Sequence, residues 1–294
     1  MEQSAYIRGV IWVIFVAVIS AMNDALVKAV GTRLSAVEVA FFRFFFSMVT
    51  LIPFLWAQGR GSFVTKHWKI HGARSILLLL AIAPWCYGVI RLPLTLVTTL
   101  SFTTPFFVLV FASLFLKERV GIHRACATLC GFIGIIVSAQ PTASGFNLTV
   151  LALLLSACMF ASLDILNKKL MIKSEGILQM LFFSALGTTV LSAPFALVDF
   201  QIPTPTELFF LFLLGAGANL ILICLLKAFS GTELSALQPF RYIELFISGL
   251  FGWVFFQEIP TAATLWGAAF IVPATFYIVC YETWRMRQNA ALGA

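Results

Sequence analysis

In the stretch "EVAFFRFFFSMVT", Glu38–Thr50, five phenylalanines crowd around one arginine, Arg43. Asp24, Asp164, Arg241 and Glu244 are likewise set inside long apolar runs. Ionisable groups at membrane depth are costly, so they face a protein interior, pair with one another, or mark a substrate or ion path. A guanidinium offers a planar fork to a carboxylate. Carboxyl groups can hold a cation or carry a proton, which makes Asp24, Asp164 and Glu244 candidates for coupling or gating.

The spacing sharpens this. Asp24 lies about as far before the turn at Arg33–Leu34 as Arg43 lies after it. At about 1.5 Å per helical residue, both sit roughly 10–15 Å below the end of a helical hairpin. A salt bridge across the hairpin is expected. It can serve packing alone, or it can be a resting pair that opens when a substrate carboxylate competes for Arg43 and a substrate cation for Asp24. Arg241 and Glu244, three residues apart, are neighbours on one helix face just after Pro239. With Tyr242 they suit a zwitterionic ligand, although an intrahelical ion pair would account for them equally.

Polar residues in other apolar runs extend the candidate site. "LVTTLSFTTPFFVLV" carries Ser101 and Thr104 beside Pro105. Their hydroxyls can bond backbone carbonyls of a kinked helix, or form a polar cavity wall. "APWCYG" places Trp85 and Tyr87 after Pro84. They fit an interfacial belt, or a stacking and cation–π surface within the site. Asn219 and Lys227 share a later run, with Lys227 near its end where it can snorkel. The candidate substrate-binding set is therefore Asp24, Arg43, Trp85, Tyr87, Ser101, Thr104, Asn219, Arg241, Tyr242 and Glu244.

No catalytic chemistry is expected. The sequence has no histidine within an apolar run, no GxSxG, no HExxH and no P-loop, so ATP is not a direct energy source within this chain. The six cysteines form no CxxC pair and read as buried free thiols. His67, His71 and His123 fall in basic stretches and read as solvated. No metal and no cofactor is expected.

The elements that must position these residues follow from composition. Of 294 residues, 61% are hydrophobic and 11% charged, against about 25% charged in soluble proteins. This is an all-α membrane protein. A span needs roughly 20 mostly apolar residues. Ten are expected, at about 8–30, 36–57, 73–91, 94–116, 121–139, 147–170, 176–198, 207–229, 233–256 and 261–283. The first contains Asn23 and Asp24 and lacks a cleavage signal, so it is a retained helix rather than a signal peptide. The net charge of +7 comes from lysines and arginines in short loops, including Arg60, Lys66, Lys69, Arg74, Lys117 and Arg119. That pattern sets membrane orientation, with both termini cytoplasmic. It is not a nucleic-acid surface.

The two halves resemble each other. A shift of 140 residues carries Asp24 to Asp164, Lys28 to Lys168, Phe106 to Phe246 and Glu118 to Glu258. Residues 1–140 and 141–294 are then two repeats of five helices. Five is odd, so the second repeat must be inverted in the membrane, an architecture of transporters that hold substrate near the midplane.

Ten helices in two inverted halves resemble the EamA-type branch of the drug/metabolite transporter superfamily. Four segments carry a narrower likeness: "GTRLSAVEVAFFRFFFS", "LDILNKKLMIK", "LLKAFS" and "PFRYIELFIS". They resemble the S-adenosylmethionine uptake transporters of obligate intracellular bacteria. The resemblance implies import of S-adenosylmethionine, in exchange for S-adenosylhomocysteine, through an inner membrane. The general EamA features alone fit an exporter of amino acids or other small metabolites equally well.

Overall fold

Chains buried in lipid must satisfy every backbone amide internally, and helices do so segment by segment. The computed structural model describes residues 2–101, 103–117, 121–139, 148–172, 176–198, 200–230, 237, 240, 243–259 and scattered positions between 262 and 284. Arg241, Tyr242, Pro239, Glu118, the C-terminal arginines and the boundary between the two halves lie outside these residues. The elements, in chain order, are α1 (Glu2–Val30), α2 (Ala36–Gln58), a 3-10 turn (Arg60–Phe63), α3 (Trp68–Arg91), α4 (Leu94–Ser101) and α5 (Thr103–Phe111). A π turn (Ala112–Leu116) follows, then α6 (Ile122–Ala139), α7 (Leu148–Ile172), α8 (Ile177–Ala196), α9 (Pro205–Ser230) and α10 (Ile243–Phe256). No strand occurs among the described residues.

Six of these helices, α1, α2, α3, α7, α8 and α9, are long and apolar enough to cross a membrane. Their outer faces carry exposed Phe54, Trp56, Val190, Phe195 and Phe209. Apolar surface on this scale belongs against lipid, since soluble monomers rarely expose it.

Local chemistry sets the ends. Ser35 begins α2 with a capping box: its hydroxyl accepts the Glu38 N–H at 3.3 Å, and the Glu38 carboxylate accepts the Ser35 N–H at 2.8 Å. The second Glu38 oxygen accepts the Gln201 N–H at 2.6 Å, which ties this cap to the segment before α9. Arg33 bonds Glu207 at the start of α9, and that contact raises the Arg33 guanidinium above its ordinary range.

α3 starts at Trp68, earlier than the sequence pattern indicates, and this corrects two expectations. His71 and Arg74 are not solvated loop residues; both are buried in the first turns of α3, Arg74 with only 1% of its surface exposed. Arg74 donates to the Met180 carbonyl at 2.7 Å and to Asn167 Oδ1 at 2.9 Å. The His71 ring lies 5.1 Å from that of Phe183. These partners on α7 and α8 meet the hydrogen-bonding needs of the guanidinium inside the bundle. His123 lies in an exposed contact: its ring stacks 3.9 Å from Tyr281 and bonds the Tyr277 hydroxyl at 2.6 Å. The cysteines divide as well. Cys86 and Cys224 are buried, whereas Cys126 and Cys280 are exposed on helix surfaces.

The packing is reciprocal. α1 packs on α9 and α3 on α7; α2 packs on α8; α2 also meets α9 and α3 meets α8; α1 meets α10, and α7 meets α4 and α5. Exchanging each first-half helix for its counterpart 140 residues on leaves this pattern unchanged. Backbones approach closely where α9 crosses α2. A Cβ added to Gly215 would lie 2.7 Å from the Ser47 nitrogen and 2.9 Å from the Arg43 carbonyl oxygen.

Candidate functional site

A cavity opens where α1, α2, α3, α4, α5, α7, α9 and α10 converge. Its polar lining comes from Ser20, Asn23, Asp24, Arg43, Ser101, Thr104, Asp164 and Glu244. Trp85, Phe160, Leu163 and Leu222 are among its apolar walls. Six predicted binding residues are thus brought together: Asp24, Arg43, Trp85, Ser101, Thr104 and Glu244. Asp164, a predicted coupling residue, joins them. The cavity holds about 120 Å³. Pockets that bury small molecules usually hold roughly 300–1,000 Å³, so a nucleoside-sized ligand requires these walls to part.

The expected Asp24–Arg43 salt bridge is absent. Asp24 instead accepts a hydrogen bond from the Trp85 indole N–H at 2.8 Å. α3 supplies this donor because Trp85 is itself buried against Phe160, edge to face with centroids 6.1 Å apart. Arg43 is 8% exposed, and its Nε is buried with no hydrogen-bond acceptor among the described residues. An unsatisfied guanidinium nitrogen is expensive. The Asp24 charge acts on Arg43 from beyond ion-pair distance. Glu244 is near enough to Asp24 for their charges to repel. Among the described lining residues stand three carboxyl groups and one guanidinium.

Ser101 does both things proposed for these hydroxyls: it donates to the Thr98 carbonyl at 2.7 Å and borders the cavity. Thr98 donates to the Leu94 carbonyl at 2.8 Å, and Thr104, on α5, borders the cavity. Thr98 also meets Ser248 of α10 at 2.7 Å.

The structure puts two predicted residues elsewhere. Asn219 clamps α9 to α2: its amide donates to the Ser47 carbonyl at 2.8 Å and to the Thr50 hydroxyl at 2.9 Å, and its carbonyl accepts from Ser47 at 2.6 Å. Tyr87 bonds Arg91 through its hydroxyl, and the Arg91 guanidinium lies 3.9 Å from the ring centroid. Neither lines the cavity. Lys227, at the far end of α9, lies 4.6 Å over the Trp12 ring. Two polar liners escaped the sequence reading, Ser20 and Asn23. Ser20, Asp24 and Lys28 recur every four residues along α1, and that period marks Ser20; Asn23, beside Asp24, shares its depth.

At the Lys28 end, α1 meets the chain just after α10. Lys28 forms an ion pair with Glu258, donates to the Leu92 carbonyl at 3.3 Å and lies 5.3 Å over the Phe256 ring. The second Glu258 oxygen accepts the Leu94 N–H at 3.3 Å.

A charged cavity between packed membrane helices is the arrangement of a membrane transporter. The chain belongs to the EamA-like transporter family, which matches it twice, over residues 7–140 and 147–280. It is similar to an S-adenosylmethionine uptake transporter of Rickettsia felis, with 42% identity over 94% of each chain. It is also similar to a riboflavin transporter of Rhizobium johnstonii, 29% identical over 99% of this chain and 97% of that one. A solved crystal structure shares the fold with a TM-score of 0.76 at 17% identity, over 97% of this chain and 99% of the other. The protein is therefore a multi-pass membrane transporter and not an enzyme.

Proposed function

We propose that this protein imports S-adenosylmethionine across the bacterial inner membrane by alternating access, in exchange for S-adenosylhomocysteine. The observation that carries the reading is the charge set of the cavity. The substrate has one carboxylate and two cationic groups, an ammonium and a sulfonium. Among its described lining residues the cavity offers one arginine for the carboxylate and three carboxyl groups, two of which suffice for the cations. Arg43, whose Nε has no acceptor among the described residues, takes the carboxylate. Asp24 and Glu244 meet the ammonium and sulfonium. Trp85 and Phe160 offer faces to the adenine, and Ser101 and Thr104 offer hydroxyls to the ribose. Arg241 and Tyr242, immediately before Ile243 in the sequence, remain candidates for the same site. The relatives named for S-adenosylmethionine uptake support this substrate.

The architecture proposed for this work is ten spanning helices in two inverted repeats, residues 1–140 and 141–294, with both termini cytoplasmic. Two observations support it: the reciprocal packing of the halves and the two family matches. On that orientation the Lys28 end is the outer end. Asp24, Asp164 and Glu244 remain the coupling candidates. The test is uptake of labelled S-adenosylmethionine into proteoliposomes by wild type and Arg43→Ala. The variant is expected to reach the membrane folded and to transport nothing. Normal uptake by the variant would remove Arg43 from the site.

A further inference from the structure

Away from the central cavity, a groove opens on the surface between α3 and α8. It holds about 440 Å³, against about 120 Å³ for the cavity. Glycine shapes it. A Cβ added to Gly187 would lie 2.3 Å from Ser75 Oγ, whereas one added to Gly72 would meet nothing within 4 Å. The two helices therefore touch at Gly187 and leave the space beside Gly72 open. Ile76 and Val190, 51% and 63% exposed, form its sides with Phe183 and Leu186. The lining runs from Trp68 to Ile76 on α3 and from Phe183 to Leu191 on α8. That is roughly 12 Å of each helix at about 1.5 Å per residue. Ser75 keeps its hydroxyl on the His71 carbonyl at 2.9 Å, so the body of the groove suits a hydrocarbon chain.

The mouth of the groove is cationic. Trp68 borders it at the start of α3, largely exposed, and Lys69 Nζ lies 5.6 Å from the Trp68 ring centroid. Lys66, also exposed, follows Thr65, another lining residue. Tryptophan beside an apolar surface marks the level of the lipid headgroups. Nothing in the neighbouring chain opposes the lysines. No acidic residue occurs between Glu38 and Glu118, α8 carries no charged residue, and neither lysine forms a salt bridge among the described residues. We infer that the groove holds one anionic phospholipid, with an acyl chain along Gly72 and the phosphate at Lys66 and Lys69. A lysine near a membrane surface favours anionic lipid by about fivefold, so two favour it by roughly 25-fold. α3 and α8 belong to different matches of the family, so the lipid touches both halves of the transporter.

The test needs no transport substrate. The purified protein in detergent is titrated with dioleoylphosphatidylglycerol or dioleoylphosphatidylcholine, and bound lipid is counted by native mass spectrometry. Wild type is expected to bind the first phosphatidylglycerol roughly 25-fold more tightly than phosphatidylcholine, and Lys66→Gln with Lys69→Gln is expected to erase that preference. Gly72→Phe fills the groove and is expected to lose the retained lipid of either kind, with a melting temperature near wild type before lipid is added. Lys227→Gln, which removes the same charge beside Trp12, is expected to bind as wild type does. Equal affinity of wild type for the two lipids would overturn the proposal. So would wild-type phosphatidylglycerol affinity in either the lysine or the Gly72 variant. An equal loss in Lys227→Gln would show that net charge alone sets the affinity and would overturn it too. If Gly72→Phe does not fold, Ile76→Trp at the exposed rim fills the groove in its place and is read the same way.

Discussion

Trp85→Phe keeps a six-membered aromatic ring beside Phe160 but removes the pyrrole part of the indole. With it goes the N–H that donates to Asp24 Oδ1 at 2.8 Å. A hydrogen bond to a charged partner is worth about 1.5–3 kcal/mol. If Asp24 must be held in place to receive a substrate cation, that energy is lost from binding, a weakening of roughly 10- to 150-fold at about 1.4 kcal/mol per decade. Stability should respond far less, since interhelical hydrogen bonds in membranes average about 0.6 kcal/mol. The assay is initial-rate uptake of labelled S-adenosylmethionine in proteoliposomes, with thermal unfolding of the purified variant in detergent beside it. The expected outcome is a large rise in KM with a nearly unchanged melting temperature. An unchanged KM in a protein with wild-type stability would refute the claim that Trp85 orients a binding carboxylate.

Other perturbations separate packing from transport. Asn219→Ala should destabilise the bundle by about 1–2 kcal/mol, the scale of strong interhelical polar contacts, while KM stays near wild type; unfolding in detergent and uptake kinetics check both. Gly215→Ala should cost about 1–3 kcal/mol by overpacking, because its new Cβ meets backbone of α2 rather than a movable side chain; reduced yield of folded protein is the readout. Arg74→Met should lower folded yield severely, since the Met180 carbonyl and Asn167 lose their buried donor, and a melting temperature equal to wild type would contradict the role assigned to Arg74.

Much of the architecture is legible in the sequence because lipid imposes a simple rule: long apolar runs become helices. The bounds expected for 36–57, 121–139 and 176–198 fall within about two residues of α2, α6 and α8, the ordinary uncertainty of helix ends. Charges buried by tertiary partners are less legible. Arg74 reads as a loop cation until α7 and α8 supply acceptors 93 and 106 residues away. Asp24 and Arg43 are correctly drawn to one cavity by their equal depth, but depth does not choose partners, and the indole of Trp85 reaches Asp24 first. Asn219 reads as a site residue because any polar group in an apolar helix does. Its use as a clamp becomes visible only when Ser47 and Thr50 face it. The 140-residue offset displays Lys28 and Glu258 as conserved positions of the repeat pattern in their own halves, yet gives no sign that they meet across the halves.

The most direct measurement is uptake of labelled S-adenosylmethionine into proteoliposomes, with and without S-adenosylhomocysteine loaded inside. The account predicts saturable uptake that preloading accelerates. Uptake indifferent to preloading would contradict exchange and leave a uniporter or ion-coupled carrier. No uptake by folded protein would contradict the substrate itself and favour export of another metabolite.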